Sequence, residues 1–168
     1  MKNPKKHPID AWLQVEITHG DVIATSNLQA AEWAAKHGGE ISGKFWPEII
    51  EATRKRIGEI IKNAFEKKTP FSVLVGEIQK AGVPSEDLAA SIANAEISSA
   101  QVNANFEAFK KTGLVSKIKW LAVGREPCPT CKENNGKVRT IGEKFPSGDA
   151  IPPAHPDCYC ILMTVSEK

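Results

Sequence analysis

A chain of 168 residues is enough for one ordinary domain, or for a helical body with a small appended module. Its 41% hydrophobic and 25% charged residues are ordinary for a globular chain and exclude wholesale disorder. A net charge of +2 is too mild to argue by itself for a nucleic-acid partner, no run is long enough to span a bilayer, and the lysine-bearing start lacks the apolar stretch of a secretory signal. A reducing cytoplasm is therefore the expected compartment, which favours metal over disulfides for any clustered cysteines.

Residues 1–25 carry Pro4, Pro8 and Gly20 among scattered apolar side chains, with a short alternation at Leu13, Val15 and Ile17, and read as an arm with a short strand. Ser26 and Gln29 stand at capping-box spacing, so a helix is expected from Ser26, with Leu28, Ala31, Ala34 and Ala35 on one face and Gly38-Gly39 ending it. Pro47 suits a first helical turn. From there Ile49, Ile50, Ile57, Ile60, Ile61, Ala64 and Phe65 recur at helical intervals to about Lys67, opposite a face of mixed charge that suits packing on protein rather than on membrane. Thr69-Pro70 opens a shorter helix with Phe71, Leu74, Val75 and Ile78 inward, stopped by Gly82. Ser85 then reads as an N-cap and Glu86 and Asp87 as an acidic first turn of a long helix to Lys111, carrying Leu88, Ile92, Val102, Phe106 and Phe109. Its middle holds Ala89, Ala93, Ala95, Ser99 and Ala100, small enough to let a neighbouring helix approach closely, and Gly113 closes it.

Beyond Leu114 the spacing alternates, Ile118, Trp120 and Ala122 against Lys117, Lys119 and Leu121, which predicts an extended segment within 115–123. Asn134-Asn135-Gly136 marks a tight turn before a short strand over 137–141, the Gly- and Pro-rich run 142–156 reads as loop, and the apolar stretch 158–165 suits a strand that pairs with an earlier one. All four cysteines lie in this part, as Cys128-Pro-Thr-Cys131 and Cys158-Tyr-Cys160, with His155 shortly before the second pair. A C-x-x-C turn presents two thiolates together, and a second pair farther on can close a tetrahedral site for a soft divalent ion, above all zinc.

The candidate metal ligands are thus Cys128, Cys131, His155, Cys158 and Cys160, more donors than a tetrahedron takes. In a strand Cys158 and Cys160 share a face and Tyr159 points away, so both reach one ion only where the strand ends or bends. The preferred set is Cys128, Cys131 and Cys158 with either His155 or Cys160; disulfides and free buried thiols are the alternatives. A structural zinc is favoured over a catalytic one, which keeps an open position beside a general base. Few large apolar residues follow Val115, so this module needs a staple, and thiolate ligation couples metal binding to folding. The expected fold class is mainly α, an α+β chain: an N-terminal arm (1–25), a helical body (26–113) and a small zinc-stapled β-hairpin or irregular module (114–168).

The order of features carries a resemblance. Ala93-Asn94-Ala95-Glu96 and Asn103 on a helix, then Phe109-Lys110-Lys111-Thr112-Gly113, Lys119-Trp120-Leu121-Ala122, Cys128-Pro129-Thr130-Cys131, Asn135-Gly136-Lys137-Val138, Phe145 and Pro152-Pro153-Ala154-His155-Pro156-Asp157-Cys158-Tyr159-Cys160 resemble the phage Mu F-like minor head proteins, the head morphogenesis family of tailed phages. The likeness runs from roughly Trp46 to Val165. Family members usually carry Arg where Tyr159 stands and Arg-Thr where Asn94-Ala95 stand; neither departure touches a candidate ligand, and the N-terminal part is shorter than in typical members. The resemblance implies a virion protein present in few copies, at the portal vertex or in the capsid interior, acting in head assembly and passing through the host cytoplasm. Its implied partners are portal, major capsid or scaffold proteins and packaged DNA, with homo-oligomerisation open and no membrane contact. It implies no catalytic residue.

Two other classes are weighed against this. Pro127-Cys128-Pro-Thr-Cys131 matches the P-C-x-x-C half of a nucleobase deaminase, but the H-x-E half is missing: His19-Gly-Asp21 has Asp for Glu, and Glu40 stands one residue too far from His37. A zinc-ribbon nucleic-acid binder has Lys132, Lys137, Arg139 and Lys144 near the knuckle but few aromatics to stack bases. His7, His19 and His37 read as solvated, and Trp12, Trp33 and Trp46 as core or partner contacts.

Overall fold

The computed structural model describes residues 22–123 and 126–165. The arm's first 21 residues, with His7, Trp12 and His19, lie outside the described residues. The first helix among the described residues, α1 (Val22–His37), begins at Val22 rather than Ser26. Ser26 and Gln29 sit inside it, where capping-box spacing arises simply from being one helical turn apart.

Small residues decide how α1 packs. Ala30, Ala31 and Ala34 are buried while Leu28 is 57% exposed, so the inward face is rotated from the expected one. The cause is the crossing with α3 (Glu51–Lys67): a Cβ on Gly38 would lie 2.4 Å from Gly58 Cα. Backbones touch there, and a leucine would hold them apart.

Gly39, at φ 88°, turns the chain into a short helix that the sequence pattern did not mark, α2 (Glu40–Phe45). The turn after it delays α3 beyond Pro47. Arg54 Nε donates to the Ile49 carbonyl at 2.6 Å and Nη2 to that of Pro47 at 2.9 Å, holding the turn closed, and Ile50 becomes an N-cap residue 68% exposed. Ile49, Ile57, Ile61, Ala64 and Phe65 are buried as their spacing requires. Helix α4 (Phe71–Lys80) buries Phe71, Leu74, Val75 and Ile78.

The long helix α5 (Glu86–Thr112) starts where its cap places it: Ser85 Oγ accepts the Leu88 N–H at 3.2 Å, and Gly113 ends it at φ 64°. Residues 92–100 are buried on every side, because α5 serves two cores. One, built with Ile57, Ile61, Leu74, Ile78, Ile92 and Ile97, is helical. The other gathers Phe106 with Ile118, Trp120, Phe145 and three of the cysteines. Glu96, 1% exposed, joins α5 to α2: its carboxylate accepts from Gly39 N at 3.1 Å, from Ser42 N at 2.9 Å and from Ser42 Oγ at 2.5 Å. The two N–H groups are backbone donors that α2 cannot satisfy internally.

A three-stranded antiparallel sheet completes the fold in the order β2-β1-β3, with β1 (Lys117–Leu121) between β2 (Val138–Thr140) and β3 (Ile161–Val165). Ile118 and Trp120 point into the second core while Lys117 and Lys119 point out, as the alternation predicts. Between β1 and β2 lies a second unmarked helix, α6 (Pro129–Asn134). Asn134 anchors it, donating through Nδ2 to Ser147 Oγ at 2.8 Å and accepting the Ser147 N–H at 3.1 Å. The chain is thus α+β, mainly helical, with the cysteines on the small sheet's inner side. No helix among the described residues is long and apolar enough to cross a membrane.

Candidate metal centre

The knuckle forms because Pro129 occupies the first turn of α6, where its missing N–H costs nothing, and Cys128 is left as the N-cap. Cys128 Sγ then accepts the Cys131 N–H at 3.4 Å, so the helix start holds both sulfurs on one side. Across from it, His155 Nε2 lies 3.0 Å from each of the Cys128 and Cys131 sulfurs. Cys158 Sγ lies 3.8 Å from Cys131 Sγ. All five candidate donors are therefore gathered in two groups that share Cys131: Cys128, Cys131 and His155, and Cys131, Cys158 and Cys160, each with its ligand atoms within 4.8 Å of one another.

The donor set fits a metal ion. Two thiolates at about 2.3 Å from a tetrahedral zinc stand about 3.8 Å apart, the separation of the Cys131 and Cys158 sulfurs. The histidine is presented in the required tautomer: its Nδ1 lies 2.6 Å from the Pro156 carbonyl, which can only accept, so Nδ1 carries the proton and Nε2 turns its lone pair to the sulfurs. All four cysteines are free thiols. Among the described residues, neither group includes a carboxylate.

Burial and mutual proximity shift the thiols in different directions. Burial pushes the Cys131 thiol up to about 12, with the neighbouring Cys158 adding to the shift. The Cys158 thiol is raised by its hydrogen bond to Cys160 and by burial, whereas Cys160 is lowered chiefly by that same bond and also by the Trp120 indole. The raised Cys131 and Cys158 thiols hold their protons, which a bound metal ion would have to displace.

Cys158 and Cys160 both face the centre because the chain is still extended but not yet paired there; β3 begins only at Ile161. Tyr159 between them points the other way and packs on the helical core. Of the other histidines, His37 is partly exposed, 3.1 Å from Glu40 and stacked on Trp33, away from the cluster. Trp33 and Trp46 are partly buried against the helical core. Sequence reasoning missed Asp157, whose carboxylate lies against α5, accepting from Ser91 Oγ at 3.1 Å and Asn94 Nδ2 at 3.2 Å. The only local signal was its place between two candidate ligands. No family model, no curated protein and no solved structure matches the chain.

Proposed function

We propose that the chain is a non-catalytic minor head protein of a tailed phage, acting in head morphogenesis at the portal vertex or capsid interior, with a structural zinc held by Cys128, Cys131, His155 and Cys158. The observation that carries this reading is the convergence of the separated motif residues, the C-x-x-C and the His-Pro-Asp-Cys-Tyr-Cys ending, into two donor groups joined at the buried Cys131. The short links from Cys128 through His155 and Cys131 to Cys158 favour these four as ligands, leaving Cys160 as an adjoining fifth donor. Zinc closes a module whose own core is thin, so the C-terminal part is presented as a rigid knob beside the helical body. Portal, major capsid or scaffold proteins are the partners, the virion is the destination and the host cytoplasm the site of assembly.

The test is quantitative mass spectrometry of heads purified from infected cells, with the protein counted against the portal. Wild-type chain is expected at a few copies per head and Cys128→Ser at severalfold less. Absence of the wild-type chain from purified heads overturns the reading.

One observation favours a second reading, nucleic-acid contact. Lys117, Arg139 and Lys144, with Val138, Thr140 and Glu143, line a shallow concavity of about 520 Å³ on the sheet's edge. DNA binding whose affinity falls steeply with salt, and falls further when Arg139 and Lys144 are replaced, would favour it.

A further inference from the structure

The segment 155–160 has two faces. His155, Cys158 and Cys160 face the knuckle, while Asp157 and Tyr159 face the helical body. Asp157 stands at φ 56°, a left-handed backbone uncommon outside glycine but one that aspartate adopts more readily than most residues. What holds it is α5: one carboxylate oxygen accepts from Ser91 and the other from Asn94, residues three apart on one face of that helix. Glu96 projects from roughly the opposite side of α5, where it caps α2. Helix α5 is therefore clamped between the body and the ligand segment. A further link across, Lys44 Nζ to Asp149 Oδ1 at 2.9 Å, is a partly exposed pair of small worth.

We propose that Asp157 is the positioning residue of the metal centre: it locks the ligand segment to α5, so that metal loading and docking of the module on the helical body are coupled equilibria. The proposal rests on the reading of the cysteine and histidine cluster as a metal site. The physical basis is preorganisation. Ordering one short segment is required for both events, so whichever occurs first removes that entropy cost from the other. The coupling is reciprocal: the factor by which Asp157 tightens metal binding is the factor by which metal tightens the contact with α5.

The test uses the full chain. Zinc affinity is measured by competition with a chromophoric chelator, cobalt(II) absorption reports the ligand field, and hydrogen exchange is followed over residues 91–98 with zinc and after chelation. Asp157→Gly tolerates the left-handed backbone and removes the side chain with both its contacts to α5; Asp157→Asn keeps the side chain and an acceptor for Asn94. The glycine variant is expected to bind zinc about tenfold more weakly with an unchanged cobalt spectrum, and the asparagine variant to recover part of the loss. Chelation should speed exchange over 91–98 in wild type; in the glycine variant exchange there should already be fast with zinc bound. Zinc binding in the glycine variant as tight as in wild type, or exchange over 91–98 that ignores chelation, overturns the coupling while leaving the metal site intact. A wild-type chain that takes up no zinc overturns the metal reading, and the coupling with it.

Discussion

Replacing Cys131 by Ser removes the one donor common to both groups, and the geometry sets the size of the effect. Its sulfur lies 3.0 Å from His155 Nε2 and 3.8 Å from Cys158 Sγ, so it bridges the knuckle to the second ligand segment. A structural zinc site of four donors has an apparent binding free energy of about 10–16 kcal/mol, or about 2.5–4 kcal/mol per donor. At about 1.4 kcal/mol per factor of ten, loss of one thiolate weakens zinc by roughly two to three orders of magnitude. Cys160→Ser leaves Cys128, Cys131, His155 and Cys158 in place and should cost no more than about tenfold, the scale of a change beside the ligands rather than among them. Competition against a chelator of known affinity, run on the full chain under reducing conditions, measures both, with His155→Ala as the third arm. The reasoning is refuted if Cys160→Ser weakens zinc as much as Cys131→Ser while His155→Ala leaves it unchanged, since Cys160 would then be the fourth ligand.

Two further perturbations probe the scaffold. Gly58→Ala would ordinarily stabilise a helix by about 1 kcal/mol, but here its methyl would sit 2.7 Å from the Gly38 carbonyl oxygen and 2.9 Å from its carbon, backbone that cannot yield. Overpacking of that kind costs about 1–3 kcal/mol, so the urea midpoint should fall; Gly76→Ala in α4, with nothing within 4 Å, should raise it, and a rise in both would show the crossing to be looser than described. Glu96 supplies a pH dependence. Burial holds its carboxyl above the ordinary 4.5 despite the hydrogen bonds from Ser42 and Gly39, so the folded chain keeps a proton that the unfolded chain releases. Its contribution to stability is fully present below that ordinary value and is lost as pH rises through the folded one. Urea midpoints across the mildly acidic range should decline with pH more steeply in wild type than in Glu96→Gln, and parallel curves would count against the assignment.

Local rules were enough wherever one residue or one turn decides the outcome. Ser85 and Gly113 bound α5, Phe71, Leu74, Val75 and Ile78 face inward from α4, and Ile118 and Trp120 alternate inward on β1. Helices α2 and α6, each of six residues, escaped notice because so short a run has no periodicity to display; α2 depends on the distant Glu96 for its first N–H groups, and α6 on Asn134 and Ser147. Leu28 and Ile50 are apolar and fall on the expected helical spacing, yet both are exposed, because the Gly38–Gly58 crossing and the Arg54-bound turn set which way the helices face.

The metal donors divide in the same way. Composition and spacing by themselves identified Cys128, Cys131, His155, Cys158 and Cys160 as a group, since clustered thiols and an imidazole at such intervals have few other uses. Only the tertiary structure decided that Cys131 stands at their junction, that His155 turns Nε2 to the sulfurs, and that Asp157 reaches α5. Those are relations between segments far apart in the chain. They depend on where a helix crossing and a sheet register bring the backbone, which no local pattern encodes.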